Sequence, residues 1–147
     1  MIEITHNPID PQPVTASVRC DSNGAVVTFL GTTRRTSMGK TVLYLEYEAY
    51  RPMALKKLRE IAGEVTRKWP IQDLSIVHRI GRLEIEDISL VVAIASPHRK
   101  EAFQACGYVV DRIKETVPIW KKEVFEDGQV WVGCQSHAVP SPAHAGD

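Results

Sequence analysis

The clearest pattern along the chain is the spacing of apolar residues in two long amphipathic segments. After Pro52, apolar residues recur at three- and four-residue intervals and predict a helix that ends near Trp69. A second helix is predicted to begin at Ser96, a residue type that caps helices well, with Pro97 in its first turn. Pro118 is expected to end this helix because it pushes the preceding residue toward an extended conformation. The chain should therefore contain two long helices that each bury one face.

Further segments carry the composition or the two-residue alternation of β-strands, namely 2–5, 25–30, 42–50, 74–80 and 88–95. Segment 88–95 is almost continuously apolar, which predicts a central strand covered on both faces. In segment 42–50 the alternation places Leu43 and Leu45 together on one apolar face. The order of strands and helices predicts an α+β fold or a two-layer α/β sandwich.

The length and composition indicate one domain. A chain of 147 residues with 44% hydrophobic and 24% charged residues can bury a single globular core. We place this domain at residues 1–135 and expect residues 136–147, which lack periodicity, to form a disordered tail. Residues 7–13 contain three prolines and predict a connector, and residues 14–20 are expected to form a short helix or an irregular segment.

Charge and cysteine content exclude several classes of protein. Eighteen basic and eighteen acidic residues give zero net charge, so nothing global favours nucleic acid or an anionic membrane as a partner. The N-terminus lacks the pattern of a signal peptide, and no apolar run approaches the ~20 residues that cross a bilayer, so we expect a cytoplasmic protein. The three cysteines are widely spaced without a CxxC pair, which indicates neither a disulfide framework nor a metal site.

Two groups of cations are candidate anion sites. His98 and Arg99 stand beside the free N–H groups expected at the start of the second helix, where the helix dipole favours phosphate. A simple surface turn is the alternative. Residues 31–40 join two strands with glycines, hydroxyls and three cations. This loop is either a solvated hairpin connection or a mobile segment in which Arg34 or Arg35 folds over an anionic ligand.

Lys114 is unexpected in the second helix because it continues an apolar row. Its ammonium group either extends from the helix end into solvent or points into a pocket. The turn at Pro118 can bring Lys121 close to Lys114, and two ammonium groups in one partly desolvated pocket favour an uncharged amine that acts as base or nucleophile. Cys106 and His78 occupy apolar faces, and we expect both to be structural rather than catalytic.

An ordered set of motifs resembles the catalytic, large subunit of molybdopterin synthase over about residues 24–131. The motifs are segments 24–34, 46–50, 78–81, 96–99 and 114–123. Each motif alone is modest, whereas the ordered set with compatible spacing is specific. The resemblance implies a two-layer α/β hammerhead-like fold with additional antiparallel β structure.

The resemblance also implies an activity. Family members convert cyclic pyranopterin monophosphate into molybdopterin by installing two sulfurs as a dithiolene. The sulfur arrives as the C-terminal Gly-Gly thiocarboxylate of a small ubiquitin-like subunit, whose tail inserts into the large subunit. The chain is thus expected to be a sulfurtransferase that needs no metal or other cofactor and that forms a homodimer within a heterotetramer.

The resemblance implies roles for particular residues. The family's two active-site lysines fall on Lys114 and Lys121, its arginine falls on Arg34, and its His-Arg pair falls on His98 and Arg99. The other implied substrate contacts are Thr32, Thr33, Lys122 and Glu123. The two threonines depart from the family pattern, in which a basic and an apolar residue often precede the arginine.

Helix length places a constraint on this site. His98 and Lys114 are 16 residues apart, which corresponds to about 24 Å along one helix. One small pterin cannot contact both ends, so we expect a composite site that pairs the two ends from different subunits of a symmetric dimer. The alternative is a non-catalytic phosphometabolite-binding or scaffold protein on the same fold. A nucleic-acid-binding module is disfavoured by the neutral charge.

Overall fold

The computed structural model describes residues 1–133, so the predicted tail and the predicted end of the domain at residue 135 lie outside the described part. The elements are β1 (Ile2–Thr5), α1 (Pro11–Ser17), β2 (Ala25–Thr32), β3 (Thr36–Ser37), β4 (Lys40–Ala49), α2 (Arg51–Lys68), β5 (Asp73–Arg79), β6 (Gly81–Leu83), β7 (Ile88–Ser96), α3 (Arg99–Thr116), β8 (Ile119–Phe125) and β9 (Gly128–Val132). The predicted α+β class is confirmed, as are the two long helices.

The strands form two sheets. The first has the order β1-β5-β7-β2, in which β1 is parallel to β5 and the remaining pairs are antiparallel. Strand β7 lies between β5 and β2 and is buried along nearly its whole length, which confirms the predicted central strand. The second sheet has the order β3-β4-β8-β9, and β6 pairs with β4 beside it.

Helices cover both faces of the first sheet. Helices α2 and α3 pack against one face, where Leu58 and Val109 join Ile76 and Val92 in the main apolar core. On the other face, α1 contributes Val14 to a smaller cluster with residues of β5 and β7. Burying both faces explains why β7 carries a continuous apolar run rather than an alternation.

The start of α3 differs from the prediction. Ser96 is the last residue of β7, pairs with Ala25 and is fully buried. The helix begins at Arg99, and His98 occupies the N-cap position with extended backbone angles and no side-chain capping bond. The predicted helix start at Ser96 was wrong. Pairing with β2 extends β7 through Ser96, a residue that would otherwise cap a helix.

The face assigned to Leu43 was also wrong. The pairing of β4 with β8 shifts between Val42 and Tyr44, as at a β-bulge. A bulge adds one residue to one strand and reverses the alternation beyond it. Val42 is therefore buried beside Leu45, whereas Leu43 is 43% exposed.

Two short segments were only partly predicted. Helix α1 begins at Pro11, inside the predicted connector, because Asp10 caps it by accepting a hydrogen bond from the backbone N–H of Gln12 at 3.0 Å. The predicted loop 31–40 is shortened at both ends, since β2 continues to Thr32 and the short strand Thr36–Ser37 pairs with the start of β4.

Candidate functional site

A cavity of about 310 Å³ lies where the end of β2, the last turn of α3 and strand β8 meet. Four of the residues implied by the sequence line it, namely Thr32, Arg34, Lys114 and Lys121. Its other lining residues include the polar side chains of Tyr47, His78 and Ser89, and apolar ones such as Phe29 and Ile113. The volume and the mixture of apolar surface with a few polar groups are typical of a small-molecule site.

The end of α3 brings the two lysines together. Val117 is extended, as expected before a proline, and is fully buried. The chain then turns at Pro118, whose carbonyl accepts a hydrogen bond from the backbone N–H of Tyr50 at 3.2 Å. Strand β8 starts at once and runs back past the helix end. Lys114 from the last helical turn and Lys121 from the strand therefore line the same cavity.

Glu123 supports Lys121 rather than lining the cavity. Its side chain is 8% exposed, and its Oε2 lies 3.7 Å from the Lys121 Nζ. The Ser37 hydroxyl donates to the Glu123 Oε1 at 3.1 Å. Residues 121 and 123 share one face of β8, so the carboxylate serves as a fixed counter-ion for the lysine.

Lys122 points to the opposite face of β8 because successive strand residues alternate. Its Nζ lies 2.8 Å from the Glu46 Oε2 and 5.6 Å from the centre of the Trp131 ring. The cavity lining does not include it. In the single chain, Lys122 is thus held in an ion pair away from Lys121.

Thr33 anchors the segment that carries Arg34. Thr33 is 4% exposed, and both its backbone N–H and its hydroxyl donate to the Asp87 carbonyl, at 3.0 and 3.2 Å. Its own carbonyl accepts from the backbone N–H of Glu86 at 2.8 Å. The next residue, Arg34, lines the cavity, whereas Arg35 does not. Of the two candidate arginines, the structure therefore places Arg34 at the cavity.

His98 and Arg99 line a different depression, of about 420 Å³, together with Gly24, Pro97, Lys100 and Phe103. An added Cβ at Gly24, the residue before β2, would lie 2.7 Å from the Pro97 carbonyl oxygen, so only glycine permits this close approach to the segment before α3. Helix α3 has 18 residues, or about 27 Å at 1.5 Å per residue. One chain therefore keeps the two cationic groups apart, at opposite ends of one helix.

The polar wall of the cavity that contains Lys114 and Lys121 was not predicted from the sequence. His78 was expected to be a structural histidine, and Tyr47, in the alternating segment 42–50, had no predicted role. The alternation of strand residues indicated that both are inward-facing. It gave no indication that the two sheets meet there around a cavity.

His78 is 6% exposed, and its Nδ1 lies 2.8 Å from the Arg79 carbonyl oxygen. Because a carbonyl only accepts, Nδ1 carries the proton and donates. Burial lowers the pKa of His78 to about 4, and the hydrogen bond to the Arg79 carbonyl opposes this only partly. The ring meets Tyr47 edge-on, with 5.1 Å between the ring centres. Burial likewise raises the pKa of the Tyr47 phenol above its ordinary value.

The expected core role of Cys106 is confirmed. Its side chain is buried among apolar residues of α3 and the first sheet. Burial raises the pKa of its thiol to about 11. A thiol that stays protonated in apolar surroundings is a poor nucleophile.

Two further observations concern metal ligands and membrane-spanning helices. Across residues 1–133, no three His, Cys, Asp or Glu side chains form a group that could hold a metal ion. Over the same residues, no helix is both long and apolar enough to cross a membrane.

Comparison with known proteins identifies the family. A family model described as MoaE protein matches residues 4–116. A molybdopterin synthase catalytic subunit from Halalkalibacterium halodurans is 48% identical over 142 residues, which cover 97% of this chain and 91% of that protein.

Solved structures share the fold. Molybdopterin synthase from Staphylococcus aureus has a TM-score of 0.85 and 50% identity, and the match covers 88% of this chain and 95% of that one. A chain from the complex of subunits 1 and 2 of molybdopterin-converting factor from Helicobacter pylori has a TM-score of 0.75 at 17% identity, over 92% of each chain. Together with the family match over most of its length, these relatives show that the chain belongs to the MoaE family of molybdopterin synthase catalytic subunits.

Proposed function

We propose that this chain is the catalytic subunit of a molybdopterin synthase. It would transfer sulfur from the C-terminal thiocarboxylate of a small ubiquitin-like subunit to cyclic pyranopterin monophosphate, forming the dithiolene of molybdopterin. The observation that carries the proposal is the meeting of Lys114, Lys121 and Arg34 at one cavity in a member of this family. The cytoplasmic location expected from the sequence belongs to the same proposal.

The cavity provides the groups that this chemistry needs. Sulfur transfer from an acyl thiocarboxylate develops negative charge on oxygen and requires an acid or base for carbon–oxygen bond cleavage. Lys114 is the proposed acid/base or transient acyl acceptor. Lys121, held beside Glu123 at 3.7 Å, tunes Lys114 and binds substrate. Arg34, on the segment anchored by Thr33, closes over the pocket and neutralises the substrate's negative charge.

The phosphate or pterin contacts proposed for His98 and Arg99 come from a second copy of the chain. The length of α3 separates this pair from Lys114 by more than a small pterin can span. A symmetric dimer places the start of one α3 near the end of the other and forms two equivalent sites. The Helicobacter pylori relative is from a complex of two different subunits, which supports a small-subunit partner. Two such partners on the proposed dimer of this chain would make a heterotetramer.

The direct test is incubation with the thiocarboxylated partner and cyclic pyranopterin monophosphate, with the dithiolene product detected by mass. The wild type should form product, and Lys114→Ala should lose at least about a hundredfold in rate, the scale of one acid/base group. Lys57→Ala is the matched control, because Lys57 lies on α2 and, among residues 1–133, pairs only with Glu60. Full activity of Lys114→Ala would contradict its role. Ligand binding without turnover by the wild type would favour the non-catalytic alternative.

Sharing of the site is tested with mixed dimers of Arg99→Ala and Lys114→Ala chains. One of the two sites in such a dimer contains both substitutions, and the other regains every residue. About half of the wild-type activity per dimer should return, although each homodimeric variant is impaired. Mixed dimers verified by native mass spectrometry that remain as inactive as the parents would exclude a shared site.

A further inference from the structure

His78 differs from the three cations that line the cavity with it. Arg34, Lys114 and Lys121 all carry hydrogen-bond donors and no acceptor when protonated. A neutral imidazole in their midst has one donor and one acceptor nitrogen. The proposed function assigns roles to the three cations and none to this buried ring.

The hydrogen bonds of His78 show which nitrogen is the acceptor. Nδ1 donates to the Arg79 carbonyl at 2.8 Å, which assigns the proton to that atom. Nε2 makes no hydrogen bond within residues 1–133, and it is absent from the buried polar atoms that lack a partner there. His78 is 6% exposed and lines the cavity, so the ring nitrogen without a partner in the described residues is the one that a ligand there can reach.

The surroundings hold this ring in place and keep it neutral. Tyr47 packs edge-on against it at 5.1 Å between centres, and the backbone of Arg79 fixes the other side. Burial lowers the pKa of the imidazole to about 4, so the ring is neutral at pH 7. Most buried side-chain polar atoms are hydrogen-bonded, so a ring nitrogen without a partner in residues 1–133 calls for an explanation.

We propose that His78 is a specificity-determining residue, whose unprotonated Nε2 accepts a hydrogen bond from an N–H or O–H group of the ligand in this cavity. A matching ligand combines an anionic group, which faces the cations, with a donor edge, which faces His78. The inference rests on the proposed function, since the nitrogen-rich fused ring of a pyranopterin monophosphate has N–H donors and its phosphate is anionic. A site that hydrogen-bonds a substrate N–H discriminates strongly against analogues that lack it.

Two amide variants, each of which reproduces the position of one ring nitrogen, separate this role from a structural one. In His78→Asn the side-chain NH₂ group takes the place of Nδ1–H and can still donate to the Arg79 carbonyl, but the acceptor at the Nε2 position is lost. In His78→Gln the longer side chain returns an amide group to the Nε2 position, where its oxygen can accept. Urea unfolding of both variants at pH 7.5 checks that each is folded before binding is measured.

The readouts are the Kd of cyclic pyranopterin monophosphate without partner, and KM and kcat with the thiocarboxylated partner. We expect His78→Asn to raise Kd and KM about tenfold, the effect of losing one hydrogen bond, while kcat stays within about twofold. His78→Gln should recover Kd to within about threefold of the wild type. Unchanged Kd in His78→Asn would overturn the proposal. So would an equal loss of binding in both variants, or a loss confined to kcat.

A measurement on the unsubstituted protein covers the case in which a variant does not fold. In ¹⁵N-histidine NMR spectra, the Nε2 resonance of His78 should move upfield when saturating pyranopterin monophosphate donates a hydrogen bond to it. A resonance that does not move would overturn the proposal. Wild-type protein that binds the pterin but does not turn it over would refute the proposed function while leaving the Kd and NMR comparisons decisive for His78. Wild-type protein that does neither would refute both.

Discussion

The buried His78 should make the protein acid-sensitive in a defined pH range. Its pKa is about 4 in the folded protein and 6.5 when unperturbed. Between these values the unfolded chain binds more protons than the folded one, so the free energy of unfolding rises with pH. The stabilising contribution is complete above about pH 6.5 and is lost as the pH falls toward 4. Below about pH 4 both states are protonated, and the loss stops.

The linkage relation gives the size of the effect. With the two pKa values above, His78 alone lowers the free energy of unfolding by about 2 kcal/mol at pH 5 and by about 3 kcal/mol at pH 4, relative to pH 7.5. This is a large share of the free energy of unfolding of a typical domain, which is about 10 kcal/mol. Protonation would also place a fourth cation beside Arg34, Lys114 and Lys121.

Urea unfolding at several pH values, compared between the wild type and His78→Asn, measures this term. Carboxylates that titrate in the same range contribute to both proteins and cancel in the difference. The protein concentration must be held constant because the proposed dimer would unfold with a concentration-dependent midpoint. The stability difference between the two proteins should change by about 2 kcal/mol from pH 7.5 to pH 5, in favour of the variant at low pH. A constant difference would refute the reasoning.

Three further predictions follow from individual contacts. At pH 8, Cys106 in the native protein should react with iodoacetamide about a hundredfold more slowly than in the urea-unfolded chain. The reason is that burial raises the pKa of its thiol from 9.0 to about 11. Equal alkylation rates in peptide mapping would contradict this prediction. Gly81→Ala should lower the free energy of unfolding by about 1–2 kcal/mol because φ is +92°. Gly107→Ala, in α3 with open space around the added Cβ, should raise it by about 0.5–1 kcal/mol. In urea unfolding, a rise in the first variant or a fall in the second would contradict the corresponding prediction. Lys121→Ala should lower kcat at least about a hundredfold because Lys121 lines the cavity, whereas Lys122→Ala should keep kcat within about threefold because Lys122 pairs with Glu46 away from it. Similar losses of kcat in the two variants would place both lysines at the site.

The sequence was sufficient where a single local pattern decides the structure. The period of apolar residues located both long helices, and the continuous apolar run of 88–95 located the central strand. Pro118 fixed the turn after α3, because it removes a backbone donor and restricts the residue before it. Since Lys114 and Lys121 flank this turn, their approach to each other was predictable from the chain alone. The separation of His98 from Lys114 was predictable too, because helix rise is constant.

Tertiary structure decided everything that depends on which surfaces meet. Pairing with neighbouring strands carried β7 through Ser96 and moved the helix start to Arg99, and a bulge against β8 exposed Leu43. The two-residue period of a strand says that Lys121 and Lys122 lie on opposite faces, but not which face meets the cavity. The same limit concealed His78, whose place in an apolar alternation indicated burial alone. Only the packing of two sheets around one space turned that buried residue into part of a candidate site, because contacts between distant segments leave no period in the sequence.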